Sequence, residues 1–479
     1  DGSSRFASES RWGLFPSFSA GWRIDQETWM KNSGFDLLKL RASWGRLGNN
    51  SIGNYDYQAT YKAHNYSFNN VLVSGLAISA FANNALRWET TTSTDIGIDV
   101  GALDNRLTAE IDLYNKLTDG ILYRPTAYQT AGTATAPLQN IAEVTNKGIE
   151  LTLGWRDSVK DFHYSFSGNF AFNHNRVSKY KGALKEYWEE SPSGVRTYVS
   201  NLGDVSTGSS TRILEGHTIN EYYMLTPYQG DASYFDDFGV VNVNGGPKDG
   251  MIRTEMDMAW LQAMIASGYT FYPMQGVGKD KIWYGDYIYA DVDGDGVYGN
   301  TYDNIFTGKS STPKYTFGFQ GSFGWKGIDL QFSFAGAAGF WLYWNETGAN
   351  GTGTRIGYNL LSSIAKNHYF YDPANPLDPR TNTTSNTARL TANEGNNQQG
   401  ETSTLHLYKG DYLKLKNLTI GYTLPEKYAK KVLMKGLRVY VSGENLFNIT
   451  SYPGQDPEMG ARMGYVTMRQ ISLGANLTF

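Results

Sequence analysis

The sequence predicts an all-β chain, an antiparallel transmembrane β-barrel with long extracellular loops. Three observations carry that prediction: the composition, a period-2 alternation of apolar and polar residues, and short turns that alternate with long loops. Aromatics make up 14% of the 479 residues and Gly numbers 53, while charged residues reach only 18%, below the roughly 25% of ordinary domains. Tyr- and Gly-rich, charge-poor composition suits barrel strands with aromatic girdles. Mean hydropathy is negative, at −0.44. The longest apolar-leaning run, 332–344, is interrupted by Ser333 and falls short of the about 20 residues a spanning helix needs. A strand crosses with about 9–11 residues, and every second one faces a wet lumen.

The alternation is cleanest at the end of the chain. Ile471, Leu473, Ala475, Leu477 and Phe479 are apolar, and Gln470, Ser472, Gly474, Asn476 and Thr478 are polar or small. One face therefore suits lipid and the other water. The same pattern predicts strands at 149–156, 162–173, 314–326 and 328–334. Lys326-Gly327, Asp104-Asn105 and the stretch Asp157 to Asp161 have turn chemistry and read as short periplasmic turns. Segments 49–93, 123–146, 178–311, 340–411 and 448–468 read as the long loops of the other rim. Segment 425–436 reads as a short basic helical turn capped by Gly436. About 12 to 14 strands are expected between Leu14 and Phe479.

Composition also excludes function classes. Without cysteine the chain has no thiolate metal site, disulfide framework or cysteine nucleophile. A net charge of −4 does not suit a nucleic-acid partner. The six histidines form no H-E-x-x-H, and neither G-x-S-x-G nor a P-loop occurs. Glu189-Glu190 and Asp236-Asp237 are adjacent acids, which in a strand point to opposite faces and read as solvated charge. No catalytic residues and no organic cofactor are expected.

Two features point to binding. In Asp291-Val292-Asp293-Gly294-Asp295-Gly296-Val297, side-chain oxygens at positions 1, 3 and 5, Gly at 6 and the Val297 carbonyl at 7 are the first half of an EF-hand-type loop for Ca²⁺ (or Mg²⁺). Tyr302 stands where the closing Glu belongs, with Asp303 next; an Asx-rich turn without an ion has the same sequence. The long loops also cluster aromatics, Tyr187-Trp188, Trp283-Tyr284 and Trp341 to Trp344, whose faces stack on sugar rings or on one another. Loop 178–311 is the favoured place for substrate or lid contacts.

Several motifs together resemble one family. They are Asp1-Gly2-Ser3-Ser4-Arg5-Phe6, Trp12-Gly13-Leu14-Phe15-Pro16-Ser17, Ser19-Ala20-Gly21-Trp22-Arg23-Ile24 and Leu40-Arg41-Ala42-Ser43-Trp44-Gly45 with Gly48-Asn49. Asn146-Lys147-Gly148-Ile149-Glu150, Gly443-Glu444-Asn445-Leu446-Phe447 and Asp456-Pro457-Glu458 follow. In this order they resemble the C-terminal part of SusC/RagA-type TonB-dependent outer-membrane transporters, over essentially the whole of 1–479. The resemblance implies part of a plugged barrel of about 22 strands. The N-terminal plug, the TonB-contacting segment and the first strands would lie outside this chain. It further implies energy-dependent nutrient import across the outer membrane of a Gram-negative bacterium, a SusD-like surface lipoprotein as partner, TonB as energy source, and oligosaccharide as substrate with peptide as the alternative. The terminal Phe479 resembles a barrel-assembly signal. A passive porin or adhesin would share the barrel without these motifs.

Overall fold

A computed structural model describes residues 1–31, 33–124, 134–180, 186–190, 196–200, 211–212, 215–344, 360–391, 402–432, 434–461 and 464–479, and for 186–190, 196–200, 211–212 and 432 the backbone alone. Eleven strands form one antiparallel sheet. They are β1 (Ser17–Arg23), β2 (Phe35–Asn49), β3 (Glu89–Ala102), β4 (Leu107–Tyr123), β5 (Gln139–Val159) and β6 (Phe162–Tyr180). Then come β7 (Tyr315–Trp325), β8 (Ile328–Ala338), β9 (Tyr412–Thr423), β10 (Gly436–Thr450) and β11 (Gln470–Thr478). Each strand pairs with the next in this order. β6 pairs with β7 although residues 181–314 intervene, so that insertion is an excursion from one rim.

Register turns the alternation of single strands into a continuous belt. Leu40 lies opposite Ile98, Ile98 opposite Ile111, Ile111 opposite Leu151, Leu151 opposite Phe170 and Phe170 opposite Phe317. Leu330, Ile420, Val441 and Leu473 continue it. Ile96, Leu113, Leu153, Phe319, Ile420 and Leu473 on this face are exposed. An apolar surface of this extent is untenable in water and suits lipid. The opposite face is polar: Lys39, Asp99, Glu110, Thr152 and Asn169 lie side by side. There Arg41 bridges Asp99 at 2.7 Å and Asp112 at 2.9 Å.

The turns at one rim are tight. Lys326 and Gly327 have φ +47 and +89, the left-handed pair that matches strand twist in a two-residue hairpin. A Cβ on Gly327 would lie 2.6 Å from the Thr423 carbonyl oxygen. At the 157–161 connection the strand runs further than its charge suggests: β5 continues to Val159 and Asp157 pairs with Arg106 at 3.2 Å. Only Lys160, at φ +55, and Asp161 turn. Gly436 does not cap the helical turn over 426–432, because it opens β10 opposite Thr478. The Gly443–Phe447 motif holds a bulge in which Asn445 takes φ +50.

Fewer strands line the wall than the alternation predicts, eleven among the described residues. Alternating segments outside it pair away from the wall, as Thr60–Phe68 does with Val71–Ala80. The long excursions are also not plain loops. Parts of 215–310 and 360–409 fold around a core of Trp260, Leu261, Met264, Ile282 and Ile288, all fully buried. Its helix α1 (Glu255–Ala266) begins at Thr254, whose Oγ1 accepts the Asp257 N–H at 3.1 Å while Asp257 accepts the Thr254 N–H at 2.8 Å. That reciprocal box satisfies two orphan amides. Trp260 stacks on Tyr228 at 5.4 Å and donates its Nε1–H to the Asn242 oxygen at 2.7 Å. No helix among the described residues is long and apolar enough to cross a membrane. Phe479 follows β11 and is exposed.

Candidate functional site

Two sites share this loop-built core. The first is a cavity of about 770 Å³, within the size range of ligand pockets. The segment 279–284, helix α2 (Ser362–Asn367) with the extended residues that follow it, and the loop 379–390 converge on it. Asp286, fully buried, anchors the first and third of these. Its carboxylate accepts the Trp283 N–H at 2.8 Å and pairs with Arg389 at 2.9 Å. Gly285, at φ +89, lets the chain pass the Tyr369 ring, where a Cβ would lie 2.4 Å from a ring carbon. Tyr369 donates to the Arg253 carbonyl at 2.6 Å. The Arg253 guanidinium in turn binds the Ser385 carbonyl at 2.6 Å and Asn386 at 2.7 Å, stitching the third segment down.

The cavity surface is aromatic and cationic. Trp283 meets Tyr284 edge-on at 5.2 Å, and Tyr284 meets Tyr371 edge-on at 5.1 Å. The Arg380 guanidinium lies 4.6 Å from the Phe370 ring centre. Burial pushes the Tyr284 hydroxyl pKa up, with Glu255 adding to the shift, so the group stays a neutral donor. Trp283 is half-buried and lines the cavity; Tyr284 is buried and forms its floor. Lys366, His368, Tyr371 and Arg380 also line it. They lie about a hundred residues from Trp283 in sequence, and no local pattern marks them.

The second site is the acidic loop, tied to the same core through Tyr298, which stacks on Phe271 at 4.7 Å. Asp291, Asp293 and Asp303 bring carboxylate oxygens within 4.8 Å of one another. Asp303 is buried and accepts the N–H groups of Val292, Gly299 and Asn300 at 2.6, 2.8 and 3.0 Å. Asp293 accepts its bond from Asp295 N–H through Oδ1 at 3.2 Å, while its Oδ2 is buried without a partner among the described residues. Burial, with the neighbouring carboxylates, pushes Asp293 up to about 6 and Asp303 up to about 7. Asp295 is not in the cluster: it accepts the Val297 N–H at 2.7 Å and the Asn300 amide at 3.0 Å. Val297 belongs to a short strand pair with Thr270–Phe271.

The other aromatic clusters divide. Trp344 and Leu342 are core residues, and Trp341 packs with Lys309 at 4.0 Å. These rings are occupied by packing. Tyr187 and Trp188 lie on a strand paired with Arg196–Ser200, but their side chains lie outside the described residues. Asp236 and Asp237 are exposed, and Asp236 accepts N–H groups of its own turn, as expected of solvated charge.

Comparison with known proteins places this geometry. Residues 1–250 match the family model described as TonB dependent receptor-like, beta-barrel. Over its full length the chain is 29% identical to TonB-dependent receptor P3 of Formosa agariphila, of which it covers 43%. It is 28% identical to TonB-dependent receptor SusC of Bacteroides thetaiotaomicron, covering 41% of that protein. A solved structure of the RagAB peptide importer in its closed-closed state superposes with a TM-score of 0.71 at 25% identity, over all of this chain and 45% of the other. The chain thus spans less than half the length of the relatives it matches. With an up-and-down sheet, a lipid-suited belt and one rim of elaborate loops, it belongs to the TonB-dependent receptor β-barrel family and is of the SusC/RagA type.

Proposed function

We propose that this chain forms wall and extracellular loops of an outer-membrane importer that takes up oligosaccharides in complex with a SusD-like surface lipoprotein. TonB supplies the energy through a plug-bearing N-terminal segment, and further strands complete the barrel. Membership of a receptor and transporter family supports import as the activity. The observation that carries the substrate class is the loop-built cavity with Trp283 and Tyr371 in its wall, since aromatic faces are the natural platform for sugar rings. The likeness to a peptide importer favours peptide as the second reading.

Deleting the gene and measuring growth and uptake on polysaccharides against peptide mixtures tests this. Loss of uptake of a glycan supports the first reading, and loss of peptide uptake alone supports the second. Uptake that persists without TonB indicates a passive porin.

The acidic loop fits a hard divalent cation. Three carboxylates converge, one with a buried oxygen that finds no donor among the described residues, and a cation would supply that partner. Asp291, Asp293 and Asp303 would hold Ca²⁺ (or Mg²⁺), which would pin the loop to the core through Tyr298 and do no catalysis. Calorimetric titration with Ca²⁺ and Mg²⁺ tests the fit.

A further inference from the structure

The cavity carries a charge imbalance that an aromatic sugar platform does not require. Lys279, Lys366, Arg380 and Arg389 line it against one carboxylate, Asp372. Arg389 is neutralised by Asp286, and Arg380 is shared with Asp378 at 2.7 Å. Asp372 is turned to its own backbone, accepting the Ala374 N–H at 3.1 Å. Lys279 and Lys366 are exposed and stand in no ion pair among the described residues. The chain as a whole is acidic, with net charge −4, so this cationic rim runs against the average. Like charges gathered around a concave, partly apolar wall raise the local potential and concentrate anions there.

We infer that the cavity selects acidic saccharides. Sugar rings lie against Trp283 and Tyr371, and ring carboxylates or sulfates are held by Lys279, Lys366 and Arg380. The Arg380 guanidinium is already fixed by Asp378 and Phe370, so it offers its remaining donors at little ordering cost. The aromatic walls favour a sugar over an acidic peptide, whose side chains have no flat apolar face to lay on Trp283. This inference rests on the import reading given above and narrows its substrate.

The test uses the complete transporter with its lipoprotein, purified in detergent. Its binding is measured on immobilised matched pairs: oligogalacturonates and their methyl esters, dextran sulfate and dextran oligosaccharides, polyglutamate and polyglutamine. Retention of an acidic glycan about tenfold or more over its neutral twin is expected. It should fall to the neutral level in the K279Q/K366Q/R380Q variant, whose thermal unfolding should match the parent because all three side chains are exposed. Trp283→Ala should weaken acidic glycan binding without removing the preference for charge. Equal retention of neutral and acidic members, retention of polyglutamate alone, or retention of none overturns the inference. None of these touches the import reading, which fails if the gene deletion leaves uptake of every glycan and peptide unchanged or if uptake persists without TonB.

Discussion

Lys414 on β9 donates from Nζ to Oδ2 of Asp456 at 2.5 Å, both side chains buried, and so pins the segment after β10 to the wall. Glu458 accepts from the same ammonium at 2.8 Å and from Lys416 at 2.7 Å, and Thr467 donates to Asp456 at 2.7 Å. Removing one partner of a buried pair leaves the other charge uncompensated, at a cost of about 3–5 kcal/mol. Lys414→Met should therefore release residues 451–461 to limited proteolysis while the barrel stays folded on heat-modifiability gels. Unchanged protection would mean that the segment is held by something else.

The same clamp has a pH signature. Burial raises the carboxyl pKa values of Asp456 and Glu458. Hydrogen bonds from Lys414, with Thr467 on Asp456 and Lys416 on Glu458, outweigh burial and hold both below the ordinary range. A carboxylate depressed in the folded state contributes stability above its unfolded pKa of about 4 and loses it as pH falls through the lower folded value. Protease protection of this segment should be flat from about pH 8 to pH 5 and decline below about pH 4. In Asp456→Asn protection should be lower throughout and that decline shallower.

The belt predicts an asymmetry between neighbours. Leu151 lies between Ile111 and Phe170 on the apolar face, and Thr152 lies between Glu110 and Asn169 on the polar one. Leu151→Arg should destabilise the folded barrel by about 2–4 kcal/mol, the cost of a cation on the lipid face near the midplane. Thr152→Arg should cost well under half as much. Urea titration of folding into lipid vesicles measures both, and equal losses would contradict the assignment of faces.

In the acidic loop, the structure and the sequence motif make different predictions. Asp293→Asn should abolish any Ca²⁺-dependent rise in thermal stability, a rise of about 2.7 kcal/mol at a hundredfold excess over Kd. Without cation it should stabilise the loop, because it removes a charge facing Asp291 and Asp303. Asp295→Asn should retain the Ca²⁺ effect, since Asp295 lies outside the cluster. Calorimetry on the two variants separates a three-carboxylate site from the EF-hand-type pattern.

The extracellular unit should unfold apart from the wall. Trp260→Ala empties a fully buried position beneath Tyr228, which costs about 3–5 kcal/mol. Intrinsic fluorescence should report an early thermal transition while the barrel keeps its heat-modifiability. A single shared transition would show that the two parts are coupled.

The amino-acid sequence by itself determined the wall. Strand period, turn chemistry and lipid compatibility are local properties, so the runs at 149–155, 162–172 and 471–477 and the Lys326-Gly327 hairpin are legible residue by residue. Local chemistry is ambiguous at the polar end of β5, where the strand runs on into the expected turn, and at Gly436, which opens β10 and does not cap the helical turn. The loop core escaped local reading altogether: in α1 the exposed face carries Met256 and Ala266 beside the buried Met258, Trp260, Leu261 and Met264, so the sequence shows no clean amphipathic stripe to detect. Asp291, Asp293, Asp295 and Asp303 were all candidates in the sequence, and tertiary structure decided which of them converge, keeping Asp303 and leaving out Asp295. It alone gathered Lys279, Trp283, Lys366, Tyr371 and Arg380 around one cavity. Those contacts join residues about a hundred positions apart in sequence, and only the packing of the loops on Trp260 brings them together.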